Sequence, residues 1–364
     1  MREIISYFLK IGLLGFGGPM AHIAMMDEEL IEKRKWTSKE QFLEGLAVCQ
    51  MLPGPASTQL GIYLGYVKGG ILGGVLAGIS FILPAFVIIT FLSYIYFQYG
   101  ALPQIQGLLY GVNAVVIAII VSSLHKMGKS AITDGKAAAI FLVSTGMLYF
   151  LKINLLIVLI LGGLAGIFAY HQFTQPKKQY ITLIPLMMVE PTVTRLFTFF
   201  FKVGAFIYGG GLVIIPFIEQ EVVEKLGWMT KPEFLAGISL GQVTPGPVVI
   251  TAAFIGYKVL GIVGALVAAA GIFIPSFLFI LAAAPYLSKV RNVPWVKAFL
   301  KGINAAVIGA ILAATLQLLS TAIMDIWTLM IMLIGFLAIW KYKINSLYAI
   351  AGSAILGIGL TYMI

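Results

Sequence analysis

The sequence predicts an all-α polytopic membrane protein made of two inverted-topology repeats, with about ten transmembrane helices and two re-entrant helical hairpins built on Pro-Gly-Pro. Three observations lead there. Of 364 residues, 60% are hydrophobic and only 10% are charged, against about 25% charged in ordinary soluble domains. No globular surface of this size hides so much apolar side chain from water. The chain also repeats itself, and its lysines and arginines change sides between the two copies.

The repeat is read directly. FLKIGLLGFGGPMAHI from Phe8 aligns with FFKVGAFIYGGGLVII from Phe200, an offset of 192, and runs without a gap through the PGP at Pro53–Pro55 and Pro245–Pro247. Residues 8–55 and 200–247 share 18 identities in 48 positions. One residue is then dropped, and at an offset of 191 Pro84 meets Pro275 and Asn113 meets Asn304. The halves are 1–171 and 194–364, with a polar linker at 172–193. The loop Phe97–Gln104 has no Lys or Arg, whereas Pro285–Lys301 has Lys289, Arg291, Lys297 and Lys301. Conversely, Lys126, Lys129 and Lys136 face none across Gln317–Thr328. Basic loops stay cytoplasmic, so equivalent loops lie on opposite sides. The repeats are inverted, and each crosses an odd number of times.

Taken in order, Ile4–Met26 is the first span, interrupted at Gly15–Pro19 and ending at the basic Lys33, Arg34, Lys35 and Lys39. Gln41–Leu52 and Ser57–Tyr66 are short helices either side of Pro53-Gly54-Pro55. Each proline removes a backbone donor and pushes the residue before it out of the α region. The pair dips into the bilayer and returns near Lys68. Spans at Ile71–Phe97, Pro103–Leu124, Ala131–Phe150 and Ile153–Tyr170 lead to Lys177 and Lys178, and the second half repeats the series from about Thr194. Ten spans of ~20 residues fill about 200 positions and leave only short loops.

Composition excludes several functions. One cysteine, Cys49, rules out a disulfide framework or a multi-thiolate metal site, and His22, His125 and His171 are too dispersed for a local ligand pair. No P-loop motif occurs, and neither a cofactor nor a metal is expected. The net charge of +10 sits in short loops between apolar spans, which fits membrane orientation, with the lipid bilayer as partner and no nucleic acid. The N-terminus reads as a mature helix and not as a signal peptide.

The PGP turns are the strongest local signal. The helix after each turn points its N-terminus, with free N–H groups and partial positive charge, towards the midplane where secondary transporters bind substrate. The competing reading is a simple kink in a packed helix. GFGGP and its counterpart YGGG (Tyr208–Gly211) are a second interruption, read either as close helix packing or as an N–H nest for an anion. Lys10 and Lys202 are repeated cations in apolar segments, functional candidates or lysines that snorkel. Gln50 and Gln242 precede the two turns and are the preferred ligands. Asn113, Asn304, Ser57, Thr58, Gln59, Thr244 and Thr251 add neutral hydrogen bonds. The acidic stretch Asp27, Glu28, Glu29, Glu32 recurs as Glu219, Glu221, Glu224. It reads as a solvated helix face with pairs such as Glu29–Lys33, or, for Glu28, Glu29 or Glu221, as a proton-coupling group. His22 is a further coupling candidate without a counterpart, since Ile214 stands there.

FGGPMAHI, the acidic-basic helix ending at Trp36 and QMLPGP resemble the chromate ion transporter family, and GGGLVIIP with QVTPGP complete the pattern of its two-domain members. The resemblance implies a carrier in the cytoplasmic (inner) membrane that exports chromate and gives chromate resistance, with sulfate as a competing tetrahedral dianion. Half-length members of that family work as pairs, consistent with the duplication, and a homodimer is a further candidate assembly. Carried over residue by residue, the motifs point to Gly17, Gly18, Pro19, His22, Gln50, Pro53, Gly54 and Pro55, then Gly209, Gly210, Gln242, Pro245, Gly246 and Pro247. Gly211 replaces Pro19 in the second half, so the halves contribute unequally. The expected mechanism is alternating access by rocking of one repeat against the other. The alternatives are a carrier for sulfate or another anion, and a passive anion channel on the same fold. A membrane-embedded enzyme fits poorly, because no catalytic dyad recurs.

Overall fold

A computed structural model describes residues 1–16, 18–170, 192–207, 211–283 and 294–363. The expectations at Gly17, His171, Lys177, Lys178, Tyr208, Gly209, Gly210, Lys289 and Arg291, and most of the linker, lie outside the described residues. Within the described residues every regular element is helical. The first half contains α1 (Arg2–Leu14), α2 (Gly18–Met26), α3 (Lys39–Met51), α4 (Ala56–Tyr99), α5 (Pro103–Ala131), α6 (Gly135–Tyr149) and α7 (Leu155–Tyr170). The second contains α8 (Thr192–Phe206), α9 (Ile214–Ile218), α10 (Lys231–Val243), α11 (Thr251–Ala283), α12 (Pro294–Ala322), α13 (Ile326–Trp340) and α14 (Ser346–Met363).

Local chemistry sets these boundaries, and the same device recurs in each half. After α2 and α9 the helix widens into π turns at Asp27–Lys33 and Glu219–Lys225. Arg34 N–H closes on Glu29 O at 3.0 Å and Leu226 N–H on Glu221 O at 2.8 Å, both five residues back. Ser38 caps α3 by accepting the Gln41 N–H at 3.1 Å. Thr230 and Glu233 form a reciprocal capping box on α10. α4 is broken at Gly69–Gly70 and α11 at Leu260–Gly261. The helix after the first PGP therefore runs a few residues beyond the expected end at Tyr66 before the break at Gly69–Gly70, where a second helix begins.

Five helical segments are long and apolar enough to cross a membrane: Ala56–Tyr99, Pro103–Ala131, Val248–Ala282, Lys297–Ala322 and Ser346–Met363. Three more, α6, α7 and α13, are apolar but have only 15 or 16 residues, roughly 22–24 Å of helix against a hydrocarbon core of about 30 Å. Val87 and Phe91 on α4 and Tyr348 and Ile355 on α14 are exposed, as side chains facing lipid would be.

Packing interleaves the halves. α1 lies on α4 and α8 on α11 within each half, and α4 meets α11 between them. The next helices exchange partners: α5 packs against α13 and α14 of the second half, and α12 against α6 and α7 of the first. Small residues one turn apart make these contacts close. Gly107 and Gly111 on α5 meet Gly357 and its neighbours on α14, and Gly162 and Gly166 on α7 meet Gly302 on α12. A Cβ on Gly111 or Gly302 would overlap the facing backbone. Each half is thus packed against helices of the other.

Candidate functional site

The helix interruptions and the PGP turns meet pairwise, across the halves. Gly54 N–H donates to Ile207 O at 2.6 Å, and Gly246 N–H donates to Gly15 O at 2.9 Å. The offset of 192 carries Gly54 onto Gly246 and Gly15 onto Ile207, so the second bond is the first with the halves exchanged. Both glycines have positive φ, 128° and 95°. That conformation, open to glycine, turns each N–H towards the facing carbonyl. The two tip amides are thus held by protein carbonyls. Pro55 precedes the first turn of α4, and its carbonyl accepts from Gln59 N–H at 3.0 Å. Pro245, Gly246 and Pro247 are buried.

Side chains around the two tips differ sharply. At the first, the fully buried His22 places Nε2 2.8 Å from Gly15 O and Nδ1 3.4 Å from Ser57 Oγ. A carbonyl only accepts, so Nε2 carries the ring proton. Gln59 Nε2 donates to Pro53 O at 2.5 Å, and Ser276 Oγ would lie 2.6 Å from a Cβ on Gly54. Thr58 Oγ1, Gln59 Oε1 and Ser276 Oγ are buried without a hydrogen-bond partner. At the second tip the offset of 191 brings Val248, Val249 and Ile250 to the places of Ser57, Thr58 and Gln59, and Ala85 to that of Ser276. Ile214 replaces His22. Polar groups gather at one tip, and burying them unpaired is unfavourable unless something polar joins them.

The same asymmetry governs the seams beside the tips. Ser239 on α10 donates to Asn113 Oδ1 on α5 at 2.6 Å, and Gln242 Nε2 is buried there without a partner. The equivalent residues are Ala47, Asn304 and Gln50. Together with Met51, Lys297 and Lys301, they line an open cavity of about 540 Å³ between α3, the end of α5 and α12. One seam is closed by a hydrogen bond; its counterpart is open. Lys301 also reaches Asp134 at 2.7 Å, and its ammonium lies 3.9 Å from the Tyr170 ring centroid. Lys301, Tyr170 and the Ala137 N–H hold the Asp134 carboxyl well below the usual range. The offset of 191 maps this pair onto Tyr110 and Asp325, joined at 2.6 Å.

Other sequence candidates lie elsewhere. Lys10 and Lys202 are exposed on α1 and α8. Gly18 has φ 76°, with Pro19 beside it in the first turn of α2. Glu28 pairs with Lys33 at 2.8 Å, Glu29 with Arg34 at 2.9 Å, and Glu221 with Lys225 at 2.5 Å. The Arg34 hydrogen bond holds Glu29 below its ordinary range.

The carboxyl that stands apart is Glu219, which sequence reasoning leaves among its acidic neighbours. It opens the second π turn, outside the five crossing segments, and is only 2% exposed. Turned nitrogen-inward, the Gln317 amide donates to its two oxygens at 2.8 and 3.2 Å. Burial pushes the carboxyl up to about 8, against smaller opposing effects of Lys231 and Lys152. Its counterpart Asp27 is bonded to Lys39. A signal was present: Gln317 is an amide where the first half has Lys126.

Comparison with known proteins adds to this geometry. The family described as "Chromate transporter" matches twice, over residues 2–167 and 194–358. A "Chromate transport protein" of Cupriavidus metallidurans is 36% identical over 98% of this chain and 92% of its own. A "Probable chromate transport protein" of Synechococcus elongatus is 37% identical, covering 94% and 90%. A "Chromate transport protein" of Pseudomonas aeruginosa is 33% identical, covering 98% and 91%. No solved structure matches the chain.

Proposed function

The chain belongs to the chromate transporter family, and from that premise we propose that it is a secondary transporter exporting chromate across the cytoplasmic membrane by alternating access. Chromate stands here for a tetrahedral, sulfate-like dianion, and export would confer chromate resistance. The observation that carries the reading is the pair of unequal seams: Ser239 and Asn113 bonded on one side, Ala47 and Asn304 parted around a cavity on the other. Two equivalent seams in opposite states are what one half of an alternating-access cycle requires. Exchanging their states would close one entrance and open the other, with α3 and α10 moving against α12 and α5.

The open cavity suits the cargo. Lys297 and Lys301 offer positive charge, and Gln50 and Asn304 offer neutral donors. A dianion held partly by dipoles leaves as readily as it enters. Lys126, Lys129, Lys297 and Lys301 converge at this end, and positive charge marks the cytoplasmic side, so the cavity faces the compartment from which an exporter loads. On this reading the repeats 1–171 and 194–364, joined by 172–193, are inverted. The shorter apolar helices complete ten crossings, and the PGP hairpins are re-entrant. Gly18 and Pro19 open α2 after the first interruption, the motif residues Gly17, Gly209 and Gly210 join the substrate path, Pro53–Pro55 and Pro245–Pro247 form the tips, and Gln242 becomes a ligand when its seam opens.

The test is flux of labelled chromate into proteoliposomes. Saturable uptake, stimulated by trapped sulfate, is expected for the purified protein. Lys297→Ala with Gln50→Ala removes a charge-assisted contact of about 1.5–3 kcal/mol and should raise the half-saturating concentration at least ten-fold. Non-saturating conductance in planar bilayers would replace the carrier by a channel.

A further inference from the structure

Glu219 is the carboxyl whose setting the transport reading leaves unused. It lies beside a small crevice of about 20 Å³, lined also by Lys152, Pro216, Glu224, Ala313 and Gln317. The volume is that of about one water. No Lys or Arg lies within ion-pair distance of it among the described residues: Lys152 is 3.8 Å from Glu224, and Lys225 is bonded to Glu221. The groups facing it from neighbouring elements are Lys152 in the turn before α7, Lys231 at the start of α10, and Gln317 on α12. Its own turn adds Glu221, Glu224 and Lys225. In the first half Lys39 neutralises Asp27; in the second, Lys231 occupies that place and makes no such bond with Glu219. The chain thus keeps one half's carboxyl paired and the other's poised.

Helix α12 links this carboxyl to the cargo. Lys297, Lys301 and Asn304 line the open cavity at one end of the helix. Gln317, thirteen residues beyond Asn304, clamps Glu219 roughly 20 Å away along the axis. The two sites therefore sit on one element, and on the inverted topology proposed above they lie towards opposite faces of the membrane.

Resting on the transport reading, we propose that Glu219 is a proton-binding site that couples oxyanion export to proton entry, with Gln317 and α12 transmitting its state to the cavity. Glu219 takes a proton from water at the outer face when the cavity faces the cytoplasm. It releases that proton inward after the seams exchange.

Two assays on reconstituted protein separate the steps. Exchange of labelled for trapped chromate needs no gradient, whereas concentrative uptake driven by an imposed pH difference needs the proton site. Glu219→Gln, an isostere of the protonated acid, should retain exchange and lose gradient-driven uptake to the level of empty vesicles. Gln317→Leu removes donors to the charged form, so the carboxyl holds its proton more tightly. The pH midpoint of driven uptake should then move upward. Undiminished driven uptake in Glu219→Gln would overturn the proposal, as would exchange without any driven uptake in the unmodified protein. Absence of exchange in the unmodified protein would instead remove the transport reading, and this inference with it.

Discussion

Asn113 and Asn304 occupy one position of the repeat and do opposite things. Asn113 accepts from Ser239 at 2.6 Å, and Asn304 stands at the wall of a cavity. A buried side-chain hydrogen bond contributes about 1 kcal/mol net, which is roughly a five-fold bias between two states. Asn113→Ala should therefore loosen the closed seam. In a Cys49→Ala background, a cysteine at Gln242 should react with a soluble thiol reagent about five times faster once Asn113 is replaced; an unchanged rate would mean that the bond does not hold the seam. At this scale the sequence is a good guide to depth and a poor guide to direction. Gln50 and Gln242 are legible because each stands next to a helix break. Lys10 is chosen for the same reason of depth, yet Ile4, Tyr7, Phe8 and Ile11 take the buried face of α1, and the lysine is left exposed beside it. Glu219 escapes notice for the converse reason: its neighbours in sequence are largely acidic, and its burial comes from the packing of α12 and other elements distant in sequence.

Among the elements, α6 and α13 show how a short helix is fixed from the other half. Asp134 caps α6 by accepting the Ala137 N–H at 2.9 Å and also binds Lys301 on α12. Asp325 caps α13 and accepts from Tyr110 on α5. Asparagine caps as well as aspartate, so Asp134→Asn keeps the helix start and removes only the charge. The folded carboxyl titrates below its ordinary value of about 3.9. Its stabilisation is accordingly complete above that value and is lost as pH falls through the lower folded one. Thermal melting in detergent should show Asp134→Asn below the unmodified protein at pH 7, with the gap closing under strongly acidic conditions. A gap that persists in acid would assign the effect to something other than the ion pair. Helix ends of this kind are legible from Ser38, Thr230, Asp134 and Asp325 as cap residues. The PGP-flanking helices were expected at Gln41–Leu52 and Ser57–Tyr66, and the chain folds them at Lys39–Met51 and from Ala56 to the break at Gly69–Gly70.

For the whole molecule the decisive property is how the two repeats are related to the membrane. Lys129 and Ser320 are equivalent at the offset of 191 and both are exposed. With Cys49 replaced, single cysteines at Lys129 and Ser320 should label from opposite faces of sealed vesicles, Lys129 from the cytoplasmic one. Labelling of both from one face would make the repeats parallel. The duplication itself is plain in the sequence, since 18 identities in 48 positions do not arise from shared apolar composition. The exchange of partners between halves is not plain, because α5, α7, α12 and α14 are apolar on most faces and periodicity cannot say which one each helix will meet. The signal lies in the small residues at i and i+4, Gly107 with Gly111 and Gly162 with Gly166, which mark a docking stripe without naming its occupant.

That exchange sets an order of events in time. α5 is complete at Ala131, but the helix that fills its glycine stripe begins at Ser346, 215 positions later (346 − 131). At about 10 residues per second, the ribosome needs roughly twenty seconds to supply it. For that interval α5 waits in the bilayer with its stripe against lipid, and the amino-terminal half cannot settle before the carboxy-terminal half arrives. A nascent chain halted before Ser346 would therefore leave the earlier half without this neighbour, so α14 completes the first half as much as the second.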